Sequence, residues 1–114
     1  MLTQKDINHI FHRLKPLNLD YRLGYAGSYA KNCAKETSDL DIVASGEHMM
    51  SAEDYFKLYY ALKSLMRTKF DIVDLKALQE DDIRMDQMLL DMGLSINESS
   101  AYKTIKKETI WMDI

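Results

Sequence analysis

Ile7, Ile10, Phe11 and Leu14 recur at the i, i+3, i+4, i+7 spacing that gathers apolar residues on one face of a helix. Thr3 is placed to cap that helix and Asp6 suits its first turn, while Pro16 ends it because the residue before a proline avoids helical angles. Over residues 19–26 the pattern changes to alternation, with Tyr21, Leu23 and Tyr25 against Arg22, Gly24 and Ala26, which predicts a strand. The strand runs into Gly27-Ser28 and a short helical turn over about 29–34, where Asn32 suits a left-handed backbone. Residues 38–44 predict a second strand, with Leu40, Ile42 and Ala44 on one face and Asp39, Asp41 and Val43 on the other. Ser51 and Asp54 form a capping pair ahead of the clearest helix in the chain, marked by Tyr55, Leu58, Tyr59, Leu62, Leu65 and Met66 and running to about Arg67. A third strand follows over 69–75, with Phe70 and Ile72 opposed to Asp71, Val73 and Leu75. A helix over 78–92 is closed by Gly93. Residues 94–97 read as a short edge strand, and 100–114 as a helix of poor apolar spacing. The order αβαβαβα predicts an α/β fold, a small mixed β-sheet with helices packed on it.

Composition narrows the class without naming a function. The 114 residues suffice for one core and exclude a two-domain enzyme. A single cysteine, Cys33, excludes a disulfide framework and a cysteine zinc site. No apolar run approaches the roughly 20 residues of a membrane span, and residues 1–13 lack the apolar stretch of a signal peptide, so a cytoplasmic protein is expected. The net charge of −3 argues against a general nucleic-acid binder. Charge is unevenly spread. Between Tyr21 and Lys35 there are three basic residues, Arg22, Lys31 and Lys35, and no acidic one, whereas Glu80 to Glu98 holds six acidic residues and one basic. The first stretch suits an anion and the second a solvated helix face. His9, His12 and His48 lack metal-ligand spacing, and Met85, Met88 and Met92 at helical spacing read as core, with a smaller share of partner interface.

The chemistry lies in Gly27-Ser28, then ten residues, then Asp39-Leu40-Asp41, with a further strand carboxylate at Asp71 or Asp74. A glycine at a strand-to-helix turn lets the backbone approach a ligand, and the N–H groups that follow, with the Ser28 hydroxyl, suit a phosphate. Asp39 and Asp41 point to one face of the strand, where they repel unless a cation neutralises them. Mg²⁺ prefers such carboxylates together with substrate phosphates. Aspartate is a poor strand former, so two of them in an apolar strand need a reason.

The run from Gly27 to Val43, GSYAKNCAKETSDLDIV, resembles the signature of the minimal nucleotidyltransferases of the DNA polymerase β-like superfamily. Phe70-Asp71-Ile72-Val73 is similar to that family's third-carboxylate strand, which selects Asp71 over Asp74, and residues 93–96 resemble its ending. The likeness covers about 5–97 and leaves 98–114 as a tail or helix, part of the same domain or bound to a partner. It implies a polymerase β-like fold, with Asp39, Asp41 and Asp71 as catalytic and metal-binding residues and Gly27, Ser28 and Lys31 as nucleotide-binding ones. It also implies Mg²⁺, with two ions expected, and ATP as the donor. Tyr29 stands where the family often has arginine, and Asn32 where it often has glycine. Small enzymes of this group are commonly paired with a helical HEPN-type RNase toxin. The resemblance therefore implies an antitoxin that transfers AMP to a tyrosine of its partner toxin. A contact-only antitoxin and a stand-alone enzyme acting on RNA or a small molecule are the alternatives.

Overall fold

Thr3 opens the first helix by a reciprocal cap: its hydroxyl accepts from the Asp6 N–H at 3.1 Å, and the Asp6 carboxylate accepts from the Thr3 N–H at 2.8 Å. This helix, α1 (Gln4–Leu14), runs into a 3₁₀ turn at Lys15–Leu17 that contains Pro16. The computed structural model describes residues 1–113, and Ile114, which ends the predicted segment 100–114, lies outside the described residues. The chain continues as β1 (Arg22–Ala26), α2 (Gly27–Ala30), β2 (Leu40–Ser45), α3 (Ala52–Leu65), β3 (Phe70–Asp74), α4 (Leu75–Asp91), α5 (Ala101–Glu108) and β4 (Ile110–Trp111). Ser51 caps α3 through the Asp54 N–H, as its spacing predicts.

The strands form one mixed sheet in the order β3-β2-β1-β4. β2 and β3 are parallel, and β1 is antiparallel to both of its neighbours. One face buries Leu40, Ile42 and Tyr25 against Ile7, Ile10, Phe11 and Leu14 of α1 and Leu58 and Leu62 of α3. The other buries Ala26, Val43 and Leu75, with Tyr102, Ile105 and Trp111 packed on them from α5 and β4. Hydrophobic burial on both faces makes this a three-layer α/β arrangement.

Three expectations need correction. Residues 94–97 form no strand. The N–H groups of Gly93 and Leu94 turn back onto Leu90 and Leu89 to close α4, and the edge beside β1 is taken by β4 instead. Gly24 makes this closure possible, since a Cβ there would sit 2.5 Å from the Ile110 carbonyl oxygen. Met85, Met88 and Met92 are not core: they are 48%, 55% and 66% exposed, because α4 turns toward the sheet through Leu75 and toward α5 through Asp82. Helix α4 also starts at Leu75 rather than residue 78, because Asp74 caps it by accepting from the Lys76 and Ala77 N–H groups.

Asp74 additionally accepts from the Met50 N–H at 2.8 Å, tying the loop before α3 to the end of β3. Asp74→Ala is therefore expected to cost about 0.5–2 kcal/mol of stability, the usual range for a lost cap. Thermal melting checks this.

Candidate active site

The end of the sheet where β1 finishes and β2 and β3 begin collects the predicted residues. Asp41 and Asp71 are direct partners across the parallel β2–β3 pair, on the same face as Val43 and Val73. Asp39 lies two residues before Asp41, just ahead of β2. Ala26 is the partner of Asp41 on β1, so the turn that starts at Gly27 rises beside the same carboxylate.

Gly27 has φ +73°, and a Cβ built on it would overlap Asp41 Oδ2. The close approach that a glycine permits here is first of all to Asp41. Asn32 is left-handed at φ 57°, as its residue type predicts. Helix α2 begins at Gly27, not at residue 29, which puts Ser28 in its first turn, where backbone N–H groups lack helical partners.

The electrostatics are those of neighbouring carboxylates without a countercharge. Burial, followed by the charges of Asp71 and then Asp39, pushes the half-buried Asp41 carboxyl above the usual carboxylate range. Among the described residues no lysine or arginine forms a salt bridge with any of the three. A hard divalent cation suits this all-oxygen donor set. The three carboxylates stand apart: among the described residues no three acidic, histidine or cysteine side chains close on a single point. An ion would have to draw them together by side-chain rotation, which the exposed Asp71 has room to make.

Two predicted contacts sit differently. Lys31 forms a 3.1 Å ion pair with Glu108 at the end of α5. Tyr29, where the family often has arginine, is buried in the core, and its hydroxyl accepts from the Leu2 N–H at 3.2 Å. It fastens α2 to the start of the chain. Lys103 of α5 is bound between Asp82 and Asp86 of α4. Lys63, Arg67 and Lys69 are not among the predicted site residues. With Tyr59 and Phe70 they line an open cleft of about 480 Å³ that reaches Asp39 and Asp71.

The polymerase beta, nucleotidyltransferase family model matches residues 25–107. A Methanocaldococcus jannaschii protein, MJ0435, named for an inferred protein adenylyltransferase activity, is 34% identical over 71 residues, covering 60% of this chain and 76% of the relative. Two solved structures share the fold. A toxin–antitoxin crystal structure with AMP-PNP has a TM-score of 0.52 at 20% identity, over 78% of this chain and 68% of that one. A mutant toxin–antitoxin MntA-HpeT has a TM-score of 0.51 at 19% identity, over 73% and 66%. With the family's motif residues gathered at one end of a sheet of the same fold, this chain belongs to the polymerase beta nucleotidyltransferase family.

Proposed function

We propose that this nucleotidyltransferase moves AMP from ATP to a tyrosine hydroxyl of a protein partner, and that it acts as the antitoxin of a toxin of the HEPN type. The observation that carries the reading is the uncompensated group Asp39, Asp41 and Asp71 beside the Gly27-Ser28 turn. The name of the 34% identical relative supports a protein acceptor, and the toxin–antitoxin structure with AMP-PNP supports a nucleotide donor. The exposed Met85, Met88 and Met92 on one side of α4 form an apolar surface of the kind that meets another protein.

Ser28 and the N–H groups at the start of α2 hold the triphosphate. Asp39, Asp41 and Asp71 would hold Mg²⁺, which supplies charge neutralisation for the leaving pyrophosphate. The tyrosine oxygen forms a bond to the α-phosphorus as the bond from that phosphorus to the β-phosphate bridging oxygen breaks. Pyrophosphate leaves with the electron pair, and the phenol proton passes to the Asp71 carboxylate. Lys31 reaches the phosphates after releasing Glu108. Glu108→Gln is therefore expected to lower KM for ATP roughly two- to fivefold, the value of one exposed ion pair, with kcat little changed. Steady-state kinetics over an ATP series measure it.

The reading is tested with ATP labelled at the α-phosphate, Mg²⁺, this protein and the product of the adjacent gene. Label on a tyrosine of the partner supports it. Tight binding of the two proteins with no label from any nucleoside triphosphate sinks it and leaves a contact-only antitoxin.

A further inference from the structure

The cleft beside Asp71 carries an inference about the acceptor. β3 is an edge strand, and the cleft lies between its first residues and the end of α3. The Gly27-Ser28 turn stands on the opposite side of Asp41, following β1. In an in-line displacement the nucleophile and the leaving pyrophosphate approach phosphorus from opposite sides. With the triphosphate on the α2 side, the open route for a nucleophile is the cleft.

Its lining has a definite chemistry. Lys63, Arg67 and Lys69 are exposed, and among the described residues none of them is in a salt bridge. The rings of Tyr59 and Phe70 lie 5.5 Å apart, with Lys63 Nζ 5.8 Å from the Tyr59 ring. Tyr59 also stacks on Tyr55 at 6.2 Å, so the tilted Tyr59–Phe70 pair offers ring edges to a third ring, and the three exposed cations lining the same cleft take up carboxylates. We propose that this cleft selects the acceptor, and that the acceptor is a tyrosine flanked by aspartate or glutamate on a segment of a partner protein. The proposal rests on the nucleotidyl-transfer reading for the step that follows docking. The bonds made and broken are those given above, with the phenol proton going to Asp71. A nucleic-acid 3′ hydroxyl is the less suitable occupant. Three cations on one rim, next to Asp39 and Asp71 in a chain of net charge −3, do not make the long positive track a polyphosphate backbone needs.

The test uses the intact chain and three probes: a tyrosine peptide flanked by glutamates, the same peptide flanked by lysines, and a single-stranded RNA oligonucleotide. Binding is followed by fluorescence anisotropy without ATP, and AMP transfer by the mass gained with ATP and Mg²⁺. The acidic peptide is expected to bind about tenfold more tightly than the basic one at low salt, as three exposed charge pairs allow. The triple variant Lys63→Glu, Arg67→Glu, Lys69→Glu is expected to reverse that preference while KM for ATP stays unchanged. Equal binding of the two peptides by the wild type overturns the proposal whatever the variant does, and so does RNA displacing the acidic peptide. Charge-selective binding with no AMP transfer to any acceptor separates the two ideas: the cleft's preference stands and the transfer reading falls.

Discussion

Exchanging Asp39 and Asp41 together for asparagine is expected to cut nucleotidyl transfer by roughly 10³-fold or more and, without metal, to raise the melting temperature. The loss follows from removing two of the three oxygen ligands that would hold the cation, whose charge stabilisation is worth several kcal/mol at a transferring phosphoryl group. The gain in stability has the same origin. Asp41 is pushed up by its own burial first, and then by Asp71 and Asp39. A carboxyl whose folded pKa exceeds the unfolded value binds its proton more tightly in the native state. Its ionisation therefore costs the fold stability as pH rises from about the ordinary value of 3.8 through the raised one. At neutral pH the wild type bears that cost in full and the variant does not, so the difference in melting temperature should be present at pH 7 and shrink toward pH 3.8. Mg²⁺ is expected to reverse the order if it binds the folded wild type through these carboxylates, raising its melting temperature and leaving the variant unmoved. A variant that keeps the Mg²⁺ shift would remove these carboxylates from the proposed metal site, and one that melts lower than the wild type at pH 7 without metal would overturn the cost assigned to the buried Asp41.

The cost of these carboxylates to the fold explains why the candidate site was legible in the sequence. Asp39 and Asp41 stand out because they break the apolar pattern around Leu40, Ile42 and Val43, and a local rule broken without local benefit marks a functional position. Periodicity located α1, β2 and α3 because each buries a continuous stripe: Ile7 to Leu14, Leu40 with Ile42, and Leu58 with Leu62. The same rule failed for Met85, Met88 and Met92, since helical spacing shows that residues share a face and not which face meets the sheet. It failed again at 94–97, where four residues of strand character lie close behind a closed helix end. The strand that does pair, β4, is two residues long, too short for alternation to register, and is held because Gly24 leaves room for the Ile110 carbonyl. Within the site, the sequence placed Lys31 by analogy and had no means of seeing Glu108, whose helix comes from the opposite end of the chain. The cations at 63, 67 and 69 were hidden differently. Spread over a helix end, a loop and a strand start, they converge only once α3 and β3 are side by side.

Gly27→Ala is expected to be nearly as damaging to activity, and a second glycine isolates the reason. Both Gly27 and Gly93 have positive φ, at 73° and 76°. A side chain at either position pays the left-handed backbone penalty, on the order of 1 kcal/mol. They differ in what a methyl group would meet. At Gly93 nothing lies within 4 Å, whereas at Gly27 the methyl would overlap Asp41 Oδ2. A carboxylate is the mobile end of its side chain, so the fold can survive by swinging Asp41 away. The new position carries the carboxylate away from its place beside Asp71 across the β2–β3 pair, and a displacement of about an ångström at a reacting centre costs roughly 10²-fold in rate. The two alanine variants should therefore melt at similarly lowered temperatures, while kcat falls steeply for Gly27→Ala and stays near the wild-type value for Gly93→Ala. Measuring both pairs of numbers separates backbone strain from displacement of the carboxylate. If Gly27→Ala melts like Gly93→Ala and also keeps wild-type kcat, then the position of Asp41 against the turn does not govern the chemistry, and Gly27 serves the backbone alone.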